Sequence, residues 1–488
     1  MEAVKNYSGR RVAGNAVVLV VGRLVTAPLS LLQVGMLARY LGVANYGAYV
    51  FLFSYLGIFG FLCDFGINQI LVREQSKSDM SVAGEFLLSG FLAKLLFSFV
   101  GVSIALLIYP IVVPSNIGRV GLYLASLLLL SAAFNSFATV FDVHLRGEIT
   151  AATNLVSTLL LCVATWEAIK WHSGLLGLIS LNILFGFPSL SSVLPGVATV
   201  AALTFFSRKF WHLHWKLDLK RIVAIVRESS ALGASLVLVA LATRADSVLL
   251  TRMRGTEQMG FYAAVIRLAD IVLVIPAFLA ASILPKFSSE FPASKERFIQ
   301  SVRRSSELIS IAGTLSFLFF FICARPLILF IFGERFAPSA IGLKIIAMLV
   351  WLMMANGMLS TAAVSSGHQK LNLWCAGIAL CSSLVLNVVL IPRFGFLGTC
   401  LARVTTEFAV FLVALIYLGS AYGKGFGSPV TLVGIFLMGI VVVLDYVFPV
   451  EKLSSIALEA SLAMAVYMYV LYKLRPLRLH ELRGVTTF

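Results

Sequence analysis

Fourteen stretches of mostly apolar residues follow one another along this chain, and each has the roughly 20 or more residues needed to cross a bilayer as an α-helix. Their approximate bounds are 12–38, 45–70, 84–110, 118–143, 149–170, 174–206, 229–251, 258–284, 303–323, 339–365, 371–391, 397–419, 427–448 and 453–473. Hydrophobic residues make up 60% of the sequence and charged residues only 12%, whereas soluble domains have about 45–50% and about 25%. The sequence therefore predicts an all-α integral membrane protein with about 14 transmembrane helices.

A short stretch between the first two apolar runs, Leu37–Tyr49, returns at Leu250–Tyr262 with a constant offset of 213 residues and no gap. Identical pairs include Arg39 and Arg252, Gly42 and Gly255, Gly47 and Gly260, and Tyr49 and Tyr262. A repeat at this distance indicates a duplicated half-protein. We expect its glycines to permit a tight turn and a close helix contact, with Arg39 and Arg252 anchoring the turn at the headgroup level.

The duplication predicts two parallel-repeat lobes of six helices around a central cleft, plus two C-terminal helices. The predicted divisions are the N-terminal lobe 1–207, a cytoplasmic interfacial linker 208–228, the C-terminal lobe 229–420, and helices thirteen and fourteen with a cytoplasmic tail in 421–488. Lys and Arg are concentrated in alternate loops, which places both termini in the cytoplasm and the repeated stretch at the outer end of each lobe. In the linker, Trp and basic residues around His212 and His214 favour an amphipathic segment over a metal site.

Several classes of function are excluded by what the residues offer. The net charge of +16 comes mostly from basic residues that flank apolar segments, which indicates topology and lipid headgroups and not nucleic acid. We find no phosphate-binding G-x-x-x-x-G-K-[ST] loop and no G-x-S-x-G nucleophile motif. The six cysteines lie in apolar stretches without a C-x-x-C spacing, so neither a metal site nor a disulfide framework is expected. The chain is predicted to be a transporter without a cofactor, not an enzyme.

Basic residues inside the predicted spans are the first candidates for function, because a charge in the bilayer core is costly. The proposed binding residues are Arg23, Lys94, Arg244, Arg267 and Arg403. Arg23 lies about 16 Å along the first helix, too deep to reach the inner surface easily. Thr26, Ser30 and Gln33 continue a polar stripe from it, which favours a hydrated cavity; a buried ion pair for packing is the alternative.

Acidic residues in the spans are candidates for a coupling ion or for an ion pair. They are Asp64, Asp142, Asp246, Asp270 and Glu407. Arg244 and Asp246 are two residues apart and cannot pair well within one helix, whereas Arg267 with Asp270 can. The same holds for Arg403 with Glu407, so a structural and a functional reading stay open for these two pairs. The excess of deep arginine suggests an anionic ligand such as phosphate, which the guanidinium fork can bind with two bonds.

The stretch Ala38–Tyr49 resembles the ARxLGxxxYGxY motif of the bacterial oligosaccharide-lipid flippases, the Wzx-type polysaccharide transporters. Looser matches are Asp64–Glu74, Arg244–Asp246 with Gly260–Tyr262, and Leu390–Gly398 followed by Thr406 and Glu407. The resemblance covers the chain from Arg11 to about Ser420 and implies the fold of the multidrug/oligosaccharidyl-lipid/polysaccharide exporter superfamily.

The resemblance also implies a function. Members flip undecaprenyl-pyrophosphate-linked sugar units from the inner to the outer leaflet of the bacterial cytoplasmic membrane, by alternating access, for surface polysaccharide assembly. Their cationic lumen would fall on Arg23, Arg244 and Arg267 in this sequence. The expected partners are the lipid-linked oligosaccharide, membrane lipids and other polysaccharide assembly proteins, with no nucleic acid, and the transport unit is expected to be a monomer. Coupling to a proton or sodium gradient would use one of the carboxylates.

Three alternatives stay open at this point. A cation-coupled multidrug exporter of the same fold would favour carboxylates over arginine in its cavity. A membrane polysaccharide polymerase or ligase would need a sizeable outer loop, and the longest one predicted is Ala324–Pro338. A channel or scaffold would not account for the duplicated halves. The sequence does not identify the sugar unit.

Overall fold

The computed structural model describes residues 9–78, 80–112, 119–186, 196–207, 218–272, 283–284, 286–291, 294–423 and 429–447. The main helices are α1 Gly9–Asp64, α2 Ile67–Lys77, α3 Met80–Val112, α4 Arg119–Phe134, α5 Thr139–Val143, α6 Gly147–Lys170, α7 Leu175–Phe185, α8 Val197–Ser207, α9 Leu219–Val272, α10 Lys295–Ile322, α11 Ala324–Phe332, α12 Ser339–Ser365, α13 Lys370–Phe394, α14 Phe396–Tyr422 and α15 Pro429–Val447. Within these ranges there is no β-strand, and nine helical segments are long and apolar enough to cross a membrane. The prediction of an all-helical membrane protein is confirmed.

The two longest helices are each interrupted once, at equivalent positions of the repeat. Helix α1 is broken at Gly42 (φ 71°, ψ 176°) and α9 at Gly255 (φ 84°, ψ −179°). Positive φ values of this kind are open to glycine and strained for other residues. Each long helix therefore consists of two predicted spans joined by a tight glycine turn, as the repeat predicted.

The predicted spans differ from the structure in three places. The predicted outer loop Ala324–Pro338 contains a short helix, α11, and a 3₁₀ turn at Glu334–Phe336. Its apolar side chains are buried on one face, as at Ile328 and Phe332, which favours a helix over a loop. The second predicted span, 45–70, is interrupted after Asp64, and the predicted linker 208–228 is helical from Leu219 onward. The amphipathic segment predicted at 208–217 and helix fourteen lie outside the described residues.

The chain divides into two compact units. Unit one contains the described residues of 1–263, 331–335 and 383–396, and unit two contains those of 264–330, 336–382 and 397–447. The boundaries of the predicted lobes stay predictions.

Small residues allow close helix packing inside each unit. In unit one, a Cβ on Gly22 of α1 would lie only 2.8 Å from the Cβ of Ala151 on α6. In unit two, a Cβ on Gly313 of α10 would lie 2.6 Å from Cδ1 of Trp351, which is fully buried in α12. Contacts of this kind are typical of membrane helices, which associate through packing at small residues. These contacts determine which helix faces are closed by packing and which remain for the candidate functional side chains.

Candidate functional site

Three arginines of the predicted binding set have no partner among the described residues. Arg23, Arg244 and Arg267 all lie in helices with membrane-spanning character, yet none of them makes a hydrogen bond or an ion pair within the described ranges. Arg23 is exposed, and Arg244 and Arg267 are half-buried. For Arg267 even the buried Nε has no acceptor among these residues. Within the described residues these three side chains therefore form no ion pair; their role stays a prediction.

The surroundings of Arg23 follow from the packing of α1 on α6. The Gly22 face of α1 is closed by Ala151, and the next residue, Arg23, projects elsewhere and is exposed. The residues of the predicted polar stripe have different surroundings along the helix. The Thr26 hydroxyl donates to the Gly22 carbonyl of its own helix (3.0 Å). Gln33 is buried, with its amide Nε2 3.4 Å from the Thr165 hydroxyl on α6.

Arg244 and Asp246 do not pair with each other, as their spacing predicted. Asp246 is buried, at 3% exposure. Its Oδ1 accepts from the backbone N–H of Ser247 (2.6 Å), and its Oδ2 accepts from the Tyr262 hydroxyl (2.6 Å). Tyr262 belongs to the second copy of the repeat. A hydrogen bond from a hydroxyl to a carboxylate at this distance is a strong one, so Asp246 ties the middle of α9 to the segment that follows Gly255.

Lys94 is placed differently from Arg23, Arg244 and Arg267. It is fully buried in α3, and its ammonium donates to Oδ1 of Asp64 (2.8 Å) and to Oδ1 of Asn68 (3.0 Å). Asp64 is the last residue of α1 and Asn68 lies in the first turn of α2. A buried charge is tolerated when it is paired and hydrogen-bonded, and Lys94 meets both conditions by bridging the junction of two helices.

The remaining candidates lie in unit two or at a helix end. The spacing of Arg267 and Asp270 allows a local pair, but Arg267 has no partner among the described residues, and Asp270 is half-buried. Glu407 accepts at Oε2 from the Asn356 amide of α12 (2.9 Å), and Arg403 is half-buried one turn earlier. Asp142 is exposed on the short helix α5. The described residues contain no cluster of three or more His, Cys, Asp and Glu side chains that could hold a metal.

The sequence profile of the polysaccharide biosynthesis protein family matches residues 12–291, more than half of the chain. This chain belongs to that family. "Probable low-salt glycan biosynthesis flippase Agl15" of Haloferax volcanii is 23% identical to this family member over 405 residues, which cover 82% of this chain and 81% of the relative. "Capsular polysaccharide biosynthesis protein CapF" of Staphylococcus aureus is 23% identical over 205 residues, 41% of this chain; the match spans about half (51%) of the relative.

A solved structure of "Lipid II flippase MurJ, inward closed conformation" superimposes with a TM-score of 0.72. The match covers 94% of this chain and 99% of that one at 14% sequence identity. At such low identity the likeness establishes the fold alone.

Several functional contacts of this family member could not be found from the sequence. Tyr262 looked like a scaffold residue of the repeat, although it is the hydroxyl partner of Asp246. Asn356 gave only a weak signal, as a polar residue within an apolar run, and it bonds Glu407 from another helix. For the repeated stretch, the sequence indicated a close helix contact at its glycines but not that the partner is the other copy of the repeat.

Proposed function

We propose that this protein moves an undecaprenyl-pyrophosphate-linked oligosaccharide unit from the inner to the outer leaflet of the bacterial cytoplasmic membrane by alternating access. The observation that carries the proposal is a set of arginines within spans that have no partner among the described residues, namely Arg23, Arg244 and Arg267. An unpaired guanidinium facing lipid tails would be costly, so such residues are retained where they face water or a ligand. The family membership and the flippase named among its relatives support the same cargo class.

The chemistry of the cargo explains why arginine is needed. A pyrophosphate headgroup cannot enter hydrocarbon unaided, because an unpaired charge loses its hydration there. A guanidinium fork replaces part of that hydration with two bonds to phosphate oxygens. The polyprenyl tail needs no such help, since it can stay in the lipid while the headgroup crosses. A few arginines also leave the binding weak enough for release.

The two arginines of unit one stand at different depths relative to the repeated stretch. Counting along each helix, Arg23 lies about 24 Å from Arg39 and Arg244 about 12 Å from Arg252. This separation along the membrane normal supports a headgroup that is bound first by one arginine and then by the other. The cargo would then keep a cationic partner during its passage.

Arginine replacement in a strain that lacks its own copy of the gene tests the proposal. We expect Arg23→Ala and Arg244→Ala to abolish surface polysaccharide and to make the lipid-linked sugar accumulate in the inner leaflet. Lysine variants keep the charge but lose the fork, so they should restore export only in part. Arg227→Ala is the matched control, because Arg227 is an exposed arginine of α9 outside the predicted span. Membrane abundance is measured for every variant.

Normal export by both alanine variants would contradict the binding role of these arginines. Efflux of cationic drugs without any accumulated lipid-linked sugar would instead favour the multidrug exporter. For coupling, we assign the gradient-sensing role to Asp246, which is the buried carboxylate bonded to Tyr262. Transport that persists after collapse of both the proton and the sodium gradient would remove Asp246 from that role.

A further inference from the structure

The two copies of the repeated stretch lie directly against each other in unit one. A Cβ on Gly47 would lie 1.8 Å from the Thr256 carbonyl oxygen and 2.6 Å from the Gly260 nitrogen. A Cβ on Gly260 would lie 2.2 Å from the Val43 carbonyl oxygen. Real Cβ atoms essentially never come within 3.0 Å of a non-bonded heavy atom. The neighbours here are backbone atoms, which cannot rotate away as a flexible side chain can. Only glycine fits at either position.

The contact has the symmetry of the duplication. Thr256 is the equivalent of Val43 at the offset of 213, and Gly260 is the equivalent of Gly47. Each glycine therefore meets the same segment of the opposite copy, which begins directly after the glycine turn of its helix. We call this reciprocal backbone approach around Gly47 and Gly260 the motif contact. It joins the first repeat of the sequence to the second.

Two arginines hold neighbouring helix ends against the motif contact. The Arg39 Nε donates to the Ile331 carbonyl (3.1 Å) in the last turn of α11. Arg254 donates through Nε to the Ile391 carbonyl (3.3 Å) and through Nη2 to the Pro392 carbonyl, in the last turn of α13. Carbonyls at a helix C-terminus carry partial negative charge, and the Ile391 carbonyl also accepts from the Gly395 N–H (2.9 Å). Each arginine thus adds a cationic donor to a helix end and secures it to one copy.

Aromatic rings repeat the arrangement on both sides. The Tyr46 ring of the first copy packs on Phe332, directly after the carbonyl that Arg39 binds (6.3 Å between centroids). The Phe261 ring of the second copy packs on Phe396 (5.4 Å), whose backbone N–H donates to Gln258 (3.0 Å). Both copies are therefore clamped by the same three kinds of interaction: glycine packing, a capped helix end and a ring pair.

We propose that the motif contact is a closed gate of the transport pathway and that Arg39 and Arg254 are its latches. This inference rests on the proposed function, because a headgroup carrying several sugars can pass between the repeats only if they separate at this end. The Lys and Arg distribution predicts that this end is external. The gate opens when the two glycines part, and the arginines release the carbonyls of α11 and α13.

Reversible crosslinking across the motif contact tests the gate. Ala44 and Glu257 are exposed beside it, so Ala44→Cys with Glu257→Cys places one thiol on each copy. The background carries Ser at Cys323, Cys375 and Cys381, the cysteines that are not buried. A short cleavable thiol crosslinker should lower transport at least tenfold. Cleavage of the crosslinker with a reducing agent should restore transport. The single-cysteine variants treated in the same way should keep transporting. Undiminished transport by the crosslinked pair would overturn the proposal.

Glycine variants give a second, independent measurement. Gly47→Ala and Gly260→Ala should lower both the crosslinking yield and transport by about tenfold, because the copies can no longer approach. Gly419→Ala and Gly439→Ala are matched controls, since a Cβ on either would meet nothing within 4 Å. Equal crosslinking in all four variants would also overturn the gate. If the unmodified protein moves no lipid-linked sugar, the proposed function fails, while the crosslinking yield still reports on the motif contact.

Discussion

Two regions join α1 to α9 within unit one, and they are held by different interactions. At the motif contact, backbone meets backbone at Gly47 and Gly260. At the other region, which we call the helix break, α1 ends at Asp64 and two residues with positive φ follow, Phe65 (41°) and Gly66 (71°). A Cβ on Gly233 of α9 would lie 2.6 Å from the Phe65 carbonyl oxygen. Both regions thus use a glycine for close approach, but only the helix break forces an aromatic residue into a strained conformation.

The helix break is surrounded by charge pairs. Lys94 bonds Asp64 inside the break, and Arg73 of α2 pairs with Glu228 of α9 at its surface. Arg221 of α9 likewise pairs with Glu85 of α3. Both regions therefore depend on close packing at glycine, and the helix break has buried and surface ion pairs in addition. The two regions should accordingly respond to different substitutions.

The largest effect is expected at Lys94. Lys94→Met leaves Asp64 without its cation in a buried site, which typically costs about 3–5 kcal/mol when one partner of a buried pair is removed. We expect a lower free energy of unfolding in detergent and lower membrane abundance. The double variant Lys94→Met with Asp64→Leu should recover much of the loss, because an apolar pair can replace a buried ion pair. A Lys94→Met protein that is fully stable yet does not transport would instead assign Lys94 to the cargo.

The comparison also shows which features the sequence can predict. The repeat predicted the turns at Gly42 and Gly255 and a close contact at Gly47 and Gly260, because backbone freedom is a local property of glycine. It could not predict that the partner surface is the other copy. The pairing of Lys94 with Asp64 spans 30 residues and that of Glu407 with Asn356 spans 51. Such pairs depend on which helices become neighbours, and neighbours are set by the tertiary fold and not by spacing.

Gly233→Ala should have the next largest effect, because the new methyl group would meet the Phe65 carbonyl and ring, both at 2.6 Å. Overpacking of this kind costs about 1–3 kcal/mol, measured as the free energy of unfolding. Gly14→Ala is the control, since Gly14 lies in a helix and a Cβ there would meet nothing within 4 Å. That substitution should be neutral or slightly stabilising. Equal losses of unfolding free energy in Gly233→Ala and Gly14→Ala would contradict the close approach at the helix break.

A smaller effect is expected for the latches of the motif contact. Arg254→Ala removes the donors to the Ile391 and Pro392 carbonyls and should cost about 1 kcal/mol, as for one helix-end interaction. Arg252→Ala is the matched control, because Arg252 is an exposed arginine with no partner among the described residues. Thermal unfolding of the two variants compares them directly. A greater loss of thermal stability in Arg252→Ala than in Arg254→Ala would show that the two arginines have been assigned the wrong roles.

The smallest effect is expected at the surface of the helix break, for the pair of Arg73 with Glu228. Both side chains are nearly half exposed, at 43% and 49%, and exposed pairs gain little because water and salt screen them. A double-mutant cycle with Arg73→Ala and Glu228→Ala should give a coupling below the cost of Arg254→Ala. The coupling should fall further as salt is raised, while the Gly233→Ala effect should not change with salt. A coupling that persists at high salt would mean that this pair is shielded from solvent, which would contradict its placement at the surface of the helix break.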